Sequence, residues 1–347
     1  MGVSIYNTPL TERLGQSYVQ LLDTCGLRDE GDADIIALMT EDDDLVACGA
    51  LAGHTIKQLA VVPEAEGQGA MAAVLTELIS EASARGIHRL FLCTKLGNLR
   101  MFRSLGFHTL VETPDAVLME NRRDGLERFL DSIPKYSGKG DAAAETGDTE
   151  PSPVSSRSSH SCGAVVCNCD PFTLGHRHLI EYAASHCDNL YVFAVSEKGS
   201  MFSPEERLEM ISKGTADIPN CHVFESDLYL ISRATFPAYF IRDESRADLV
   251  KSDLDIELFC TRIAPALGIS IRFAGEEPFS PVTRAYNERM KELLPEHGIE
   301  FVEIPRLAGI SAGKVRSMIA SGDHEGLREM VPDSTYEVIQ SRFGSDA

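Results

Sequence analysis

An alternation in the second half of the chain constrains its fold more than any other feature. Apolar runs at 163–168, 189–196, 221–226, 270–275 and 299–304 are each followed by a helical pattern, at 175–186, 203–214, 244–266, 281–296 and 311–320. Short apolar runs alternating with amphipathic helices predict a parallel sheet with right-handed crossovers. Such a sheet opens its ligand crevice at the carboxyl ends of its strands, where the strand order reverses. The chemically interesting residues below fall just after these runs.

The first half is different. Residues 44–63 suggest two strands, 69–86 a helix closed by Gly86, 89–94 a further strand and 99–107 a short helix. That mixture predicts an α+β domain. Between the halves, residues 137–161 read SGKGDAAAETGDTEPSPVSSRSSHS and contain almost nothing apolar. Such a segment cannot bury enough surface to offset its ordering entropy, so it is expected to be a flexible linker. The expected domains are therefore 1–136 and 162–347 of a chain of 347 residues.

The chain has 53 acidic and 32 basic residues, a formal charge of −21, which excludes nucleic-acid binding through bulk electrostatics. Any phosphate-bearing ligand must be held by local groups that overcome that field. No apolar run approaches membrane-spanning length, and no basic-then-apolar leader opens the sequence, so a cytoplasmic protein without a membrane partner is expected. Nine cysteines, an odd number lying mostly in apolar stretches, argue against a disulfide framework and for a reducing compartment. The pair in CNC at 167–169 has no second pair at zinc spacing, so no metal site is expected there.

The stretch CDPFTLGH (169–176) turns the first run into its helix. Pro171 shapes the turn and removes one amide donor. Thr173 is placed to cap the helix, and Gly175 and His176 follow in its first turn. Free amides and the positive dipole end make such a corner an anion site, which Gly175 lets a phosphate approach closely. His176 adds a donor able to carry positive charge. By themselves these letters also fit an ordinary capped helix with a surface histidine.

CDPFTLGH resembles the T/HxGH signature of the HxGH nucleotidyltransferases, with Thr173 in place of the first histidine and Asp170-Pro171 matching the usual DP. The resemblance implies ATP as cosubstrate and a Rossmann-like parallel sheet. SEKGSMFSPEERLEMI (196–211) is similar to the Lys-then-F…ER segment of phosphopantetheine adenylyltransferases. Lys198 then matches the phosphate-neutralising lysine and Arg207 the segment's arginine, although an ion pair with Glu205 or Glu206 is an equal alternative for Arg207. ISAGKVR (310–316) resembles the superfamily's ISSTxxR. Ser311 would cap a helix facing the β- and γ-phosphates, with Lys314 and Arg316 adding charge. In this reading the ATP site comprises Asp170, Thr173, Gly175, His176, Arg207, Ser311, Lys314 and Arg316. The catalytic set is His176, Lys198 and Arg316, with Mg2+ bridging the phosphates.

Longer segments narrow the substrate. NRRDGLERFLDSI, ATFPAYFI, GEEPFSPVTRAYNERM, ISAGKVRSMI and VPDSTYE together resemble the citrate (pro-3S)-lyase ligase family along nearly the whole chain except the linker. The resemblance implies activation of acetate to acetyl-AMP and pyrophosphate. The acetyl group then passes to the dephospho-CoA-derived thiol of the citrate lyase acyl-carrier subunit. GEEPFSPVTRAYN follows the fourth strand, so Glu277, Arg284, Tyr286 and Asn287 are candidates for the acetate or nucleotide pocket. Arg284 either meets the acetate carboxylate or only braces its loop. The alternatives are a pantetheine-phosphate-type adenylyltransferase, whose product keeps AMP, and a non-catalytic carrier-binding protein.

The first domain resembles the GNAT acetyltransferase fold, with LAVVPEAEGQGAMAAVL at its acyl-CoA loop and MFRSLGF at its later helix. The loop departs from that family's pattern: Glu66 stands in the first place and Met71 in the last, with only Gly69 in register. A carboxylate facing a pyrophosphate is unfavourable, so acetyl transfer from acetyl-CoA is not expected. The expected role is receipt of the carrier's pantetheine arm, docking of the carrier, or scaffolding.

Overall fold

A computed structural model of the chain describes residues 2–136, 161–196, 200–230, 238–241 and 243–344. Lys198 and all but the last residue of the expected linker fall outside these. The chain forms two compact units, Met1–Glu127 with Arg233–Leu258, and Arg128–Ser232 with Phe259–Ala347.

The first unit is a seven-stranded sheet in the order β1-β2-β3-β4-β5-β7-β6. Its strands are β1 (Gly2–Asn7), β2 (Ile35–Glu41), β3 (Asp44–Ala52), β4 (Thr55–Val61), β5 (Phe91–Thr94), β6 (His108–Glu112) and β7 (Val117–Glu120). Both faces are covered, so alternate residues of one strand serve two cores. Ile35, Ala37 and Met39 pack with Val74, Leu75 and Leu78 of helix α2 (Ala70–Ala84). Ile36 and Leu38 pack with Tyr18, Leu21 and Leu22 of helix α1 (Glu12–Thr24). A third helix, α3, spans Leu99–Ser104.

Among the described residues of this unit, only β4 and β5 pair in parallel, at Thr55↔Phe91 and Ile56↔Leu92. Beyond that point the two strands have no ladder between them. Gln58 has φ 55° there and is buried. Its amide donates to the Arg28 carbonyl at 3.1 Å and to Asp29 at 3.0 Å, while the Tyr18 hydroxyl donates to its carbonyl at 2.8 Å. The Tyr239 hydroxyl donates to the Cys93 carbonyl at 3.4 Å, where the ladder is missing.

Tyr239 belongs to the segment Arg233–Leu258, which groups with the first unit although a division at the linker places it in the second. The reason is packing: Ala247, Val250 and Leu254 are buried, and their helix, Glu244–Leu258, lies against β6. The helix expected over 244–266 also ends early. A π turn, Phe259–Ile263, separates it from a short helix, Ala264–Leu267. Pro265 has no amide to continue the ladder, which accounts for the widened turn.

The second unit is a five-stranded parallel sheet in the order β10-β9-β8-β11-β12. Its strands are β8 (Cys162–Cys167), β9 (Asn189–Ala194), β10 (Cys221–Glu225), β11 (Ile269–Gly275) and β12 (Glu300–Ile304). The five expected strands are all present, as are four of the five helices: α4 (Leu174–Ser185), α5 (Pro204–Gly214), α6 (Pro281–Glu296) and α7 (Ala312–Ser321). A last helix, α8 (Asp333–Phe343), was not apparent from the sequence pattern. The order runs outward from β8 in one direction and from β11 in the other, so a crevice is dictated between their carboxyl ends. Phe273 joins Ile180 of α4 and Val315 of α7 in one core, which fixes which face of β11 these helices cover.

Candidate active site

The carboxyl ends of β8, β11 and β12 surround a cavity of about 460 Å³. Its lining brings together Asp170, Thr173, Gly175, His176, Glu277, Tyr286, Asn287, Ser311 and Arg316 of the candidates. Arg207, Arg284 and Lys314 do not line it.

The corner after β8 is built by local geometry. Thr173 caps α4, its Oγ1 accepting from the His176 amide at 3.4 Å. The Thr173 amide in turn donates to His176 Nδ1 at 3.1 Å. This is a reciprocal capping box in which an imidazole does the work usual for a glutamate. It explains the three-residue spacing between Thr173 and His176. Phe172 is fully buried between these groups and anchors the turn in the core. Gly214 lets α5 approach it, because a Cβ there would lie 2.6 Å from the Phe172 ring. Cys169 lies in the turn rather than the strand, with φ 49°, and burial pushes its thiol well up.

The same box sets the state of His176. A Nδ1 that accepts from an amide leaves the ring proton on Nε2. Burial, aided by the charge of Arg306, pushes the His176 pKa down to about 4. His176 is therefore neutral at pH 7. The unfolded chain takes up the proton near 6.5 and the folded chain only near 4. The stabilisation is complete above the unfolded value and is lost as the pH falls through this window. The Cε1–H resonance of His176, assigned by its absence in His176→Gln, is expected to titrate near 4; a midpoint near 6.5 would contradict the assignment.

Two helix starts face the cavity. At α4 the Leu174 amide donates to the Met330 carbonyl at 2.9 Å and the His176 amide to Thr173. No hydrogen bond engages the Gly175 amide among the described residues. At α7 Ser311 is the cap, accepting from the Lys314 amide at 3.1 Å. The amides of Ala312 and Gly313 are likewise unengaged among the described residues. All three residues line the cavity. A Cβ on Gly175 would make only ordinary contacts, 3.5 Å to Thr173 Oγ1 and 3.7 Å to Ile310. Glycine at this position is thus not demanded by the fold. Gly175→Ala is expected to melt at or above the wild-type temperature while binding ATP at least about 10-fold more weakly, by calorimetry. Unchanged affinity would remove this amide from the site.

Asp170 holds the segments together. Its carboxylate accepts from the amides of Met201 at 3.1 Å and Phe202 at 2.9 Å, just before α5. Arg316 of α7 donates to the Asp170 carbonyl, and its Nη1 lies 3.6 Å from Asp170 Oδ2. Arg207 is fully buried and donates to the Asn168 carbonyl at 3.0 Å and to the Asn168 side chain. Through Asn168 it braces the strand end. Lys314 is exposed, with Nζ 3.4 Å from the Gly309 carbonyl.

The loop after β11 is braced internally. Glu277 accepts from the amides of Phe279 at 3.0 Å and Ser280 at 3.2 Å. Arg284 donates to the Pro278 carbonyl at 2.8 Å, the loop-bracing alternative. Asn287 is buried, donating to the Gly275 carbonyl at 3.0 Å and to Glu303 at 2.8 Å. Two arginines that the sequence reading passed over also line the cavity, Arg306 and Arg272. Arg306 pairs with Glu277 at 3.0 Å. It sits four residues before ISAGKVR, where the signature drew attention away from it.

Comparison with known proteins bears on this site. A family model for the citrate lyase ligase C-terminal domain matches residues 162–339, and one for the GNAT acetyltransferase family matches residues 3–107. The citrate (pro-3S)-lyase ligase of Escherichia coli (strain K12) is 38% identical over 318 residues, covering 89% of this chain and 85% of that one. The Klebsiella pneumoniae citrate (pro-3S)-lyase ligase is 38% identical over 326 residues, covering 91% and 90%. A phosphopantetheine adenylyltransferase of Petrotoga mobilis is 40% identical over only 65 residues, 18% of this chain and 40% of that one.

Proposed function

The chain belongs to the citrate lyase ligase family, and from that premise we propose that its cleft activates acetate with ATP and acetylates the citrate lyase acyl carrier. The observation that carries this reading is the pair of helix starts facing one cavity, with His176, Arg316 and Arg306 around them. In the first step an acetate oxygen attacks the α-phosphorus, the bond to the bridging oxygen breaks, and pyrophosphate leaves. Acetyl-AMP results. In the second step the carrier thiolate attacks the acetyl carbon, and AMP leaves with the carboxyl oxygen it gained.

The chain's part is positioning and electrostatics. The Gly175 amide and the neutral His176 Nε2–H donate to oxygens of the α-phosphate. The Ala312 and Gly313 amides and Arg316 serve the leaving pyrophosphate, as does Lys198. Arg306 lies close enough to His176 to depress its pKa, so it adds charge beside the reacting phosphate. Among the described residues no group of three or more His, Cys, Asp or Glu side chains can hold a metal ion, and Asp170 is engaged by two amides. A magnesium ion carried on the triphosphate itself is proposed as the second cofactor. When bound it would neutralise phosphate charge.

Acetate-dependent exchange of pyrophosphate into ATP is the expected activity, and His176→Ala should lower its rate roughly 10²–10³-fold. Exchange that proceeds without acetate would favour an adenylyltransferase instead. Near-full rate in His176→Ala would remove that residue from the mechanism.

The first unit is proposed to receive the carrier's pantetheine arm. A cavity of about 820 Å³ opens where β4 and β5 part, lined by Cys25, Leu59, Met71, Phe102 and Tyr239, with Lys95 and Glu66 also on its lining. Truncation at the linker is no clean test, because Arg233–Leu258 completes this unit. Lys95→Glu is expected to slow acetyl transfer to the holo-carrier at least about 10-fold while leaving acetate-dependent exchange unchanged. Equal effects on both reactions, or none, would contradict arm binding here.

A further inference from the structure

We infer that Arg272 receives the acetate carboxylate, an assignment that rests on the ligase reading above. Arg272 stands in the middle of β11, only 6% exposed, among Ile269, Ile271 and Phe273. Its guanidinium lies 4.6 Å over the Phe259 ring. Its Nη1 is buried without a hydrogen-bond partner among the described residues, yet the residue lines the cleft. An arginine cannot shed its proton to escape burial, so an unpaired one in this setting is costly unless an anion completes it.

The carboxylates nearby are committed elsewhere. Asp170 takes two amides and Arg316. Glu277 takes two loop amides and Arg306. Glu303 is held by Lys291 at 2.9 Å and by Asn287. Glu276 is exposed. None of the carboxylates that line the cleft, Asp170, Glu276 and Glu277, is hydrogen-bonded to Arg272 among the described residues, which leaves it open to an anion from solution.

Its face of the sheet points to a small carboxylate rather than to the triphosphate. Phe273 faces the core shared with α4 and α7, the two helices whose starts form the phosphate cradle. Arg272, one residue earlier, faces the opposite side. That side belongs to α6: Ala274 is in register with Glu303, which Asn287 of α6 bonds, and Met290 also lines the cleft there. The two substrates would thus approach from opposite faces of one strand, the nucleotide on the cradle side and the carboxylate beside Arg272. With Met290 also lining the cleft, the Arg272 cation suits a carboxylate with a methyl tail. Arg284, the candidate from sequence, is exposed and tied to loop carbonyls.

The test uses Arg272→Met and Arg272→Lys in the full-length protein. In acetate-dependent ATP–pyrophosphate exchange, Arg272→Met should raise the KM for acetate about 100-fold or more, with the KM for ATP within about threefold. In a thermal shift assay with saturating α,β-methylene-ATP, sodium acetate should raise the wild-type melting temperature above that in sodium chloride. Arg272→Met should show no acetate shift, while melting without acetate at or above wild type, because an apolar side chain replaces an unpaired charge. Arg272→Lys should keep a weakened acetate shift. An acetate KM unchanged in Arg272→Met, or an ATP KM rising in parallel, would overturn the assignment. If wild type shows an acetate shift but no acetate-dependent exchange, the ligase reading fails and Arg272 stands as a carboxylate site. If exchange is normal in Arg272→Met, the reading stands and the assignment fails.

Discussion

The cleft depends on the Asp170 carboxylate. It is acceptor for two amides before α5, at 2.9 and 3.1 Å, and counterion for Arg316 on α7, while the residue itself sits in the turn leading to α4. Three segments far apart in the chain are thereby fixed to one point. Charge-assisted bonds from backbone amides are strong and directional, and Asp170 is largely shielded from water. Positioning is most of what adenylyl transfer asks of a protein, so a brace of this kind matters as much as any group that touches substrate. Arg207 adds a second brace, tying α5 to the end of β8 through Asn168.

Around that frame, a chain of charge −21 is proposed to make a local site for a highly charged anion. It does so with few full charges. Backbone amides at two helix starts supply donors that bring no desolvated cation with them. Burial and the Arg306 charge keep His176 neutral, so in its proposed role it would donate without adding charge. The arginines have distinct neighbours among the described residues: Arg316 has Asp170, Arg306 has Glu277, and Arg272 has the Phe259 ring.

The sheet of the second unit was legible because its strands are apolar runs bounded by turns and its helices carry clean periodicity. The corner at Thr173 and His176 was legible because cap, glycine and donor sit at fixed local spacing. What the pattern could not show were relations across the sequence. Arg207 looked like a phosphate ligand or a surface ion pair, since nothing local tells that its helix face is buried on Asn168. Arg272 was absorbed into a strand as one charge in ISIRFAG, although a charge inside a buried strand is itself an unusual feature. The helix over 244–258 has periodicity that fits either unit, and only its packing on β6 assigns it. The π turn at 259–263 left just one trace, Pro265.

A carboxylate oxygen is proposed to attack an α-phosphorus held between α4 and α7. Acetate labelled with oxygen-18 tests it directly. With the holo-carrier as acceptor, one labelled oxygen should appear in the phosphate of AMP, read as a mass increase of about 2 Da, with none in pyrophosphate. AMP without label, or label in pyrophosphate or inorganic phosphate, would contradict the account.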